Sequence, residues 1–248
     1  MQDPKVNIYQ IYYLAEQTAR LDPAFIPYDN INPPYSAADS NKFREWPILR
    51  THGLERAKAD GADIWGFVSY KWDEKTQIPG QKFLDFIKAN PDNDVWFMEP
   101  HYKPFNPFIN SWIQGNMFHP GISRIANSFM TLNNIPVDVQ KIIMPVCYYN
   151  FFAGTQKFWD TFFLYIDQMI AIANNNPNLH KLMFETGAGH GNDNTVPYFI
   201  FLVERMFPTA ITLSGLKHIG LKYHTDDFLV EPKNLIDVVN KIYTINQS

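Results

Sequence analysis

The sequence predicts an α/β fold, a single-domain Rossmann-like (GT-A-like) mixed sheet flanked by helices, and three features of the chain support that prediction. Short apolar runs rich in β-branched and aromatic residues recur along the chain, as is typical of buried strands. Amphipathic segments with helical spacing lie between these runs, so strands and helices alternate. No internal repeat and no change in composition marks a boundary, so residues 1–248 are interpreted as one domain.

The first part of the chain contains two predicted strands. Lys5–Tyr13 is apolar enough to be a buried strand, and the proline-rich stretch Leu21–Ser40 is interpreted as a long loop that packs against the protein. Lys42–Ala59 is predicted to be a helix with interruptions at its proline and glycine. Asp63–Trp72 is the second strand, and the polar residues 73–76 are predicted to form a turn after it.

A third strand lies between two predicted helices. Gly80–Ala89 is a short helix, and Asp94–Met98 is the strand that follows it. Phe105–His119 is rich in proline, asparagine and aromatic residues, and we expect a loop near the pocket. Gly121–Leu132 has apolar residues on one helical face. These elements continue the alternation of strands and helices.

The next unit is a strand that turns sharply into a helix. Val146–Phe152 is the apolar run, and Thr155 offers an N-cap hydroxyl for a helix that ends near Ala173. Ligands of open α/β sheets bind outside the carboxyl ends of strands, so Asn150 and the turn at residues 154–155 are candidate pocket residues. The alternative is a core strand in which the asparagine satisfies neighbouring backbone groups.

The last third of the chain begins with Leu179–Glu185, which leads into a glycine- and asparagine-rich loop that contains Asp193. A helix is predicted to follow Pro197. The remaining predicted elements are two short edge strands and a closing helix, Ala210–Leu213, Ile219–Tyr223 and Pro232–Tyr243.

Composition excludes several functional classes. A net charge of −4 disfavours binding to nucleic acid, and the single cysteine, Cys147, provides neither a disulfide framework nor a cysteine-based zinc site. No run of 18 apolar residues predicts a membrane span. A reducing, cytoplasmic compartment fits best, with peripheral association with an inner membrane as an open alternative. Aromatic content of 16% favours a carbohydrate or nucleotide ligand, although a thick core also explains it.

Two sets of acids are candidate metal ligands. Asp92 and Asp94 form a D-x-D pattern, which many nucleotide-sugar glycosyltransferases use to hold Mg²⁺ or Mn²⁺. In those enzymes the pair follows an apolar strand, whereas here it precedes one, so a solvated turn is the competing interpretation. Asp63 and Asp73 flank the second predicted strand. The cofactor is therefore left open, with Mg²⁺ or Mn²⁺ as the candidates.

The glycines between Phe184 and Gly191 imitate the strand–GxGxG turn of methyltransferases that bind adenosylmethionine. The motif belongs on the first strand of that fold, whereas here it lies late in the chain. The acid expected about 20 residues later is absent at Thr209–Gly215. A mobile substrate lid is the competing interpretation, and a methyltransferase remains an alternative function.

Glu204 and Arg205 are the charged pair on an otherwise apolar predicted helix. The acid is placed to deprotonate an acceptor hydroxyl, and the arginine to pair with a phosphate or carboxylate. A structural ion pair on a half-buried helix is the alternative. His119, ahead of a proline and a glycine, is a further candidate at the start of a helix whose N-terminus faces an anion.

The order of these pieces resembles glycosyltransferase-like domains of bacterial capsule and lipopolysaccharide clusters. The resemblance consists of an IYQIYY first strand, a DIWGFVSYKW strand, a YYNFFAG strand before a KFW helix, and a late VERMF helix. It implies a GT-A-like fold in which Tyr12 and Tyr13 bind the base and ribose. It also implies that Asn150 lies on the acceptor side and that Glu204 faces the sugar. The chain departs from the family in lacking D-x-D after an apolar strand.

The resulting prediction is a glycosyltransferase that moves a sugar from a nucleotide-sugar donor to a polysaccharide or lipid-linked glycan acceptor. A metal ion or cationic side chains would stabilise the leaving diphosphate. The alternative from another class is a non-catalytic carbohydrate-binding or scaffold domain of a larger polysaccharide-synthesis protein. The predicted catalytic residues are Glu204 and Asn150, and the predicted substrate-binding residues are Tyr12, Tyr13, Asp63, Lys71, Lys75, His119, Asp193 and Arg205.

Overall fold

The predicted α/β class is confirmed by the computed structural model, in which a mixed sheet is flanked by helices. The structure describes residues 3–35, 43–101, 110–142, 144–147, 149–188 and 196–224. Within these ranges the sheet has six strands. The strands are β1 (Val6–Tyr12), β2 (Ile26–Asp29), β3 (Ile64–Ser69), β4 (Val95–His101), β5 (Phe152–Thr155) and β6 (His218–His224).

The strand order is β2-β1-β3-β5-β4-β6. Strand β1 is parallel to β2 and β3, and β4 is parallel to β6. Strand β5 is antiparallel to both of its neighbours, β3 and β4. All the other strands therefore point the same way, and their carboxyl ends share one edge of the sheet.

Helices connect these strands. A 3₁₀ helix spans Ala15–Arg20, and a π-helical turn spans Ile48–His52. The α-helices of the described residues are α1 (Gly53–Ala59), α2 (Trp72–Thr76), α3 (Gly80–Ala89), α4 (Ser111–Phe118), α5 (Ile122–Leu132), α6 (Gln156–Asn174), α7 (Pro177–Phe184) and α8 (Tyr198–Ser214). None of the helices in this part of the chain is long and apolar enough to cross a membrane.

The sheet carries a hydrophobic core on each face because successive side chains of a strand point in opposite directions. On one face, Trp65 and Phe97 belong to a large cluster that includes buried residues of α5, α6 and α8. On the other face, Ile64 and Trp96 pack in a smaller cluster with buried residues of α3. The apolar runs of the sequence thus mark strands that are buried on both faces.

The β5–α6 junction confirms the predicted start of the long helix. Thr155 is the N-cap, and its hydroxyl accepts a hydrogen bond from the amide of Phe158 at 3.5 Å. Trp159 donates from its indole N–H to the carbonyl of Trp65 at 3.1 Å, which ties α6 to β3. Phe152 stacks on Phe207 of α8 with ring centroids 4.2 Å apart. The aromatic spacing in the sequence therefore reflects packing against the sheet.

The predicted strand Val146–Phe152 is wrong in position, since strand β5 begins at Phe152. The chain turns at Tyr149 and Asn150, whose φ angles are +64° and +56°, and a left-handed backbone cannot continue a strand. Because β5 is antiparallel, residues 154–155 lie at the amino edge of the parallel strands. The turn predicted there as part of the pocket is therefore at the opposite edge from Asn150.

Other local predictions failed where tertiary contacts overrode local signals. The predicted loop Leu21–Ser40 contains β2, an edge strand that tolerates its proline because one side of the strand is unpaired. Residues 73–76 form most of α2 rather than a turn, and Ala210–Leu213 lies inside α8. Part of the predicted loop Phe105–His119 is α4, capped by Asn110. The predicted closing helix lies outside the described residues.

Candidate functional site

The carboxyl edge of the parallel strands is the candidate site. The chain leaves β1 toward β2 on one side and leaves β3 toward β4 on the other, so the connections that follow these two neighbouring strands run in opposite directions. Ligands of open α/β sheets bind at such a topological switch point. The described residues at this edge come from the carboxyl ends of the parallel strands and from the turn before β5.

Tyrosines and basic side chains surround the switch point. Tyr12 is the last residue of β1, and the ring of Tyr13 lies edge-on to that of Tyr70, with centroids 6.5 Å apart. The guanidinium carbon of Arg20 is 5.1 Å from the centre of the Tyr70 ring, and the ammonium of Lys71 is 5.8 Å from it. The structure therefore brings the predicted residues Tyr13 and Lys71 together around Tyr70, and Tyr12 precedes Tyr13 at the end of β1.

Glu45 connects the switch point to the residues that follow β2. The hydroxyl of Tyr13 donates a hydrogen bond to Glu45 Oε1 at 2.9 Å. Burial, together with the Glu45 carboxylate, raises the pKa of Tyr13 well above its usual value, so the phenol is a fixed donor. Glu45 was not predicted from the sequence, because Tyr13, the residue that it binds, is 32 positions away in the chain.

The turn before β5 places a second group of polar atoms at the same edge. The amide of Tyr149 donates to Glu204 Oε1 at 2.7 Å, and the ammonium of Lys75 lies 4.8 Å from the centre of the Tyr149 ring. Asn150 follows directly, and its side-chain oxygen is buried without a hydrogen-bond partner within the described residues. A left-handed turn holds this orphaned acceptor at the site, which is a strained arrangement of the kind found at ligand sites.

Arg205 fixes the other oxygen of Glu204. Its guanidinium is 3.1 Å from Glu204 Oε2, and it donates to Gln114 Oε1 at 2.9 Å and to the carbonyl of Phe201 at 3.0 Å. The side chain of Arg205 is 3% exposed and that of Glu204 is 17% exposed. The pair thus holds a partly accessible carboxylate in one orientation, while the arginine itself is buried.

A further acid and the cysteine lie close to this pair. Burial raises the pKa of the Cys147 thiol well above its usual value, and the carboxylates of Glu204 and Glu99 act in the same direction. A thiol with a raised pKa is a poor nucleophile, so Cys147 is an inert buried residue. Glu99 lies in the second half of β4 and was not among the residues predicted from the sequence.

Several predicted residues lie elsewhere. Asp63 is at the amino edge of β3 and accepts a hydrogen bond from the amide of Lys5 at 2.8 Å. His119 is buried, with its ring 3.6 Å from that of Phe201 and Nδ1 3.2 Å from the carbonyl of Ala188. Asp63 is thus not part of the carboxyl-edge group, and His119 is a buried side chain that packs on α8. Asp193 falls outside the described residues.

The D-x-D pattern does not fit a metal site at the carboxyl edge. Asp94 precedes β4 at the amino edge, where it pairs with Lys157 at 2.9 Å and accepts from the amide of Lys217 at 3.0 Å. Within the ranges that the structure describes, no group of three or more His, Cys, Asp or Glu side chains is arranged to hold a metal ion. Asp92 and Asp94 accordingly belong to a polar turn.

The glycine-rich motif is preceded by a helix rather than a strand. Helix α7 is capped by Asn176 and runs up to Phe184. Gly187 forms an isolated antiparallel bridge with Pro197, and Gly189 lies outside the described residues. The strand on which an adenosylmethionine-binding turn depends is therefore replaced by a helix, and the methyltransferase alternative loses its structural basis.

Comparison with solved structures shows a distant similarity. The chain is similar to a chain in the apo structure of the WbbM bifunctional glycosyltransferase, with 12% identity and a TM-score of 0.43. The match covers 90% of this chain and 46% of the other, so this chain spans about half the length of that protein. No protein-family model matches the sequence, and no curated protein matches it.

Proposed function

We propose that this protein is a glycosyltransferase that moves a sugar from a nucleotide-sugar donor to a hydroxyl group of a polysaccharide or lipid-linked glycan. The observation that carries the proposal is the switch point between β1 and β3, which tyrosines and cationic side chains surround. Flat rings suit a base and ribose, and cations suit a diphosphate. The proposed setting is the cytoplasm or the cytoplasmic face of a membrane.

The donor would bind across the carboxyl ends of β1 and β3. Tyr12 and Tyr13 would contact the base and ribose, and Lys71 and Lys75 would contact the diphosphate. The two lysines are separated by four positions, at the N-cap and in the last turn of the short helix α2, so one rigid element presents both charges. As the bond between the anomeric carbon and the phosphate oxygen breaks, these charges would stabilise the leaving diphosphate. Mg²⁺ or Mn²⁺ remains a candidate cofactor for the same role.

The acceptor would bind on the side of the turn before β5. Glu204 would take the proton of the acceptor hydroxyl while the oxygen forms its bond to the anomeric carbon. Arg205 is then a positioning residue, since it orients the Glu204 carboxylate from a buried site. The unpaired side-chain oxygen of Asn150 would accept a hydrogen bond from a neighbouring sugar hydroxyl.

A non-catalytic carbohydrate-binding module is the second candidate. It is favoured by one observation: both carboxylate oxygens of Glu204 already have protein partners, Tyr149 and Arg205. These contacts give Glu204 a structural role that needs no chemistry. Such a module would bind the glycan with its aromatic side chains and would not turn over a donor.

Thermal shift against UDP-, GDP-, CMP- and dTDP-sugars, with and without Mn²⁺, tests the donor. A ligand at about 100 times its dissociation constant adds about 2.7 kcal/mol to the free energy of unfolding. We expect Lys71→Ala to reduce the shift and Lys82→Ala, on the exposed face of α3, to leave it unchanged. The absence of a shift across the whole panel contradicts donor binding.

Turnover separates the two candidates. For a glycosyltransferase, Glu204→Gln should keep the donor-induced thermal shift and abolish sugar transfer, because an amide cannot accept the hydroxyl proton. Glycan binding without turnover in the wild-type protein, unaltered in Glu204→Gln, would instead support the binding module. A thermal shift with adenosylmethionine alone contradicts both.

A further inference from the structure

A cavity of about 370 Å³ lies between the residues that lead into the π-helical turn, the end of α6 and helix α7. Ligand pockets of proteins usually have volumes of about 300–1,000 Å³, so this cavity has room for a small ligand. Trp46, Ile170 and Phe184 supply much of its apolar wall.

The aromatic wall is held in place by the core. The ring of Trp46 meets those of Phe163 and Phe199 edge-on, each with centroids 5.9 Å apart. Phe184 lies 5.1 Å from Phe199 in turn. Trp46 is 9% exposed, so only a small part of its ring surface faces open space. These contacts make the cavity a preformed feature with flat, rigid walls.

Polar groups converge on the same cavity. Asn174, the last residue of α6, lines it, and its side chain makes no hydrogen bond to any described residue. His180 also lines it, with Nδ1 3.4 Å from Glu185 Oε1, so its other ring nitrogen is available to a ligand. Tyr35 adds a hydroxyl that donates to Asn30 at 3.0 Å and retains an acceptor lone pair.

The charge of the lining distinguishes between ligand classes. No lysine or arginine occurs among the described residues that line the cavity. A phosphate or carboxylate would therefore be desolvated there without a cationic partner, which is unfavourable. An acyl chain would gain no hydrogen bond from Asn174 or His180, whereas a ligand with hydroxyl groups would. A neutral ring with an apolar face and hydroxyl groups at its edge satisfies both requirements.

The cavity adjoins the candidate site. Phe43 and Trp46 line it and also line a smaller cavity, whose polar lining residues are Glu45 and Asn150. Glu45 accepts the hydrogen bond from Tyr13 at the carboxyl end of β1. Phe43 and Trp46 thus separate a ligand in the larger cavity from the smaller cavity, which reaches toward the residues to which the donor is assigned.

We propose that this cavity is an acceptor subsite that binds one neutral pyranose ring of the glycan, with its apolar face against the wall that Trp46, Ile170 and Phe184 form and its hydroxyls on Asn174 and His180. The proposal rests on the proposed function, since it takes the sugar as the acceptor. It adds a location and a class of sugar, a pyranose without phosphate or carboxylate.

Titration with methyl glycosides of neutral hexoses, followed by saturation-transfer NMR, tests the subsite in the full chain. Ile170→Trp fills the cavity and should abolish glycoside binding. The matched control is Leu164→Trp, which adds the same ring to a position of α6 that is 55% exposed and should not change binding. Asn174→Ala, at an exposed position where folding tolerates the change, should weaken binding about five-fold through loss of one hydrogen bond. Asn175→Ala, at the neighbouring C-cap, should have no effect.

The outcomes separate the two proposals. Loss of glycoside binding in Ile170→Trp, with the nucleotide-sugar thermal shift retained, supports both the subsite and the glycosyltransferase. Glycoside binding that survives both Ile170→Trp and Asn174→Ala, or no binding of any neutral glycoside, overturns the subsite. Binding in the cavity with no nucleotide-sugar shift supports the subsite as a sugar site and overturns the glycosyltransferase in favour of the binding module.

Discussion

Replacing Glu204 with glutamine should lower stability by an amount that the structure allows us to bracket. The glutamine side chain would keep a carbonyl oxygen for the amide of Tyr149, so that hydrogen bond survives. The hydrogen bond at 3.1 Å from Arg205 is lost, because the amide nitrogen that replaces Oε2 cannot accept it. Hydrogen bonds to charged groups contribute about 1.5–3 kcal/mol, whereas an uncompensated buried charge costs about 3–5 kcal/mol.

The range for a lost hydrogen bond to a charged group, about 1.5–3 kcal/mol, applies because Arg205 keeps two other acceptors, Gln114 Oε1 and the carbonyl of Phe201. We therefore expect Glu204→Gln to reduce the free energy of unfolding by about 2 kcal/mol. For a chain of this size that corresponds to a fall of roughly 4–8 °C in Tm. Urea denaturation followed by tryptophan fluorescence measures the change directly.

The control is the exposed ion pair between Arg20 and Glu74, whose side chains are 46% and 48% exposed. Glu74→Gln should cost less than about 1 kcal/mol, because exposed pairs contribute little in water. A double-mutant cycle of Glu204→Gln with Arg205→Met then isolates the coupling energy. A change in Glu204→Gln no larger than that in Glu74→Gln refutes the assignment of Arg205 as the residue that holds the carboxylate.

Three further predictions test the framework around the site. Gly66→Ala should lower the free energy of unfolding by about 1–3 kcal/mol in urea melts, because its Cβ would lie 2.3 Å from the carbonyl oxygen of Phe152. An unchanged urea midpoint would show that β3 and β5 can move apart to make room for the methyl group. Burial raises the pKa of Tyr9 to about 12, and the Asp60 carboxylate acts in the same direction. The stability that the neutral phenol provides is therefore present below about pH 10 and is lost as the pH rises through 12. Absorbance titration of Tyr9→Phe against the wild type should show the loss of one late-titrating phenol, and loss of a phenol with an ordinary pKa contradicts this. Asn150→Gly should change the free energy of unfolding by less than about 1 kcal/mol, because it relieves a left-handed φ and removes an unpaired amide oxygen. A loss above about 2 kcal/mol would show that this oxygen accepts a hydrogen bond.

Only some residues of the candidate site could be predicted from the sequence. The tyrosines that end β1 and the lysines that follow β3 were identifiable, because residues at strand ends are local features of the chain. Glu45 and Gln114 were not, since their roles depend on partners 32 and 91 positions away, Tyr13 and Arg205. Nothing local distinguishes such residues from ordinary polar side chains.

The sequence by itself determined where most strands and helices lie. Val6–Tyr12 and Ile64–Ser69 coincide with apolar runs, and Gln156–Asn174 begins after a threonine cap with aromatic residues at helical spacing. These are short-range effects of burial, backbone propensity and capping, so a single sequence reveals them.

Only the tertiary structure decided how those elements are arranged. The antiparallel direction of β5, the pairing that makes Ile26–Asp29 an edge strand, and the placement of Glu204 against Tyr149 all depend on residues far apart in the chain. Strand direction leaves no local trace, because a strand buried on both faces has the same apolar composition in either orientation. For that physical reason the turn at residues 154–155 was assigned to the wrong edge of the sheet, and Asn150, which precedes the strand, lies at the opposite edge.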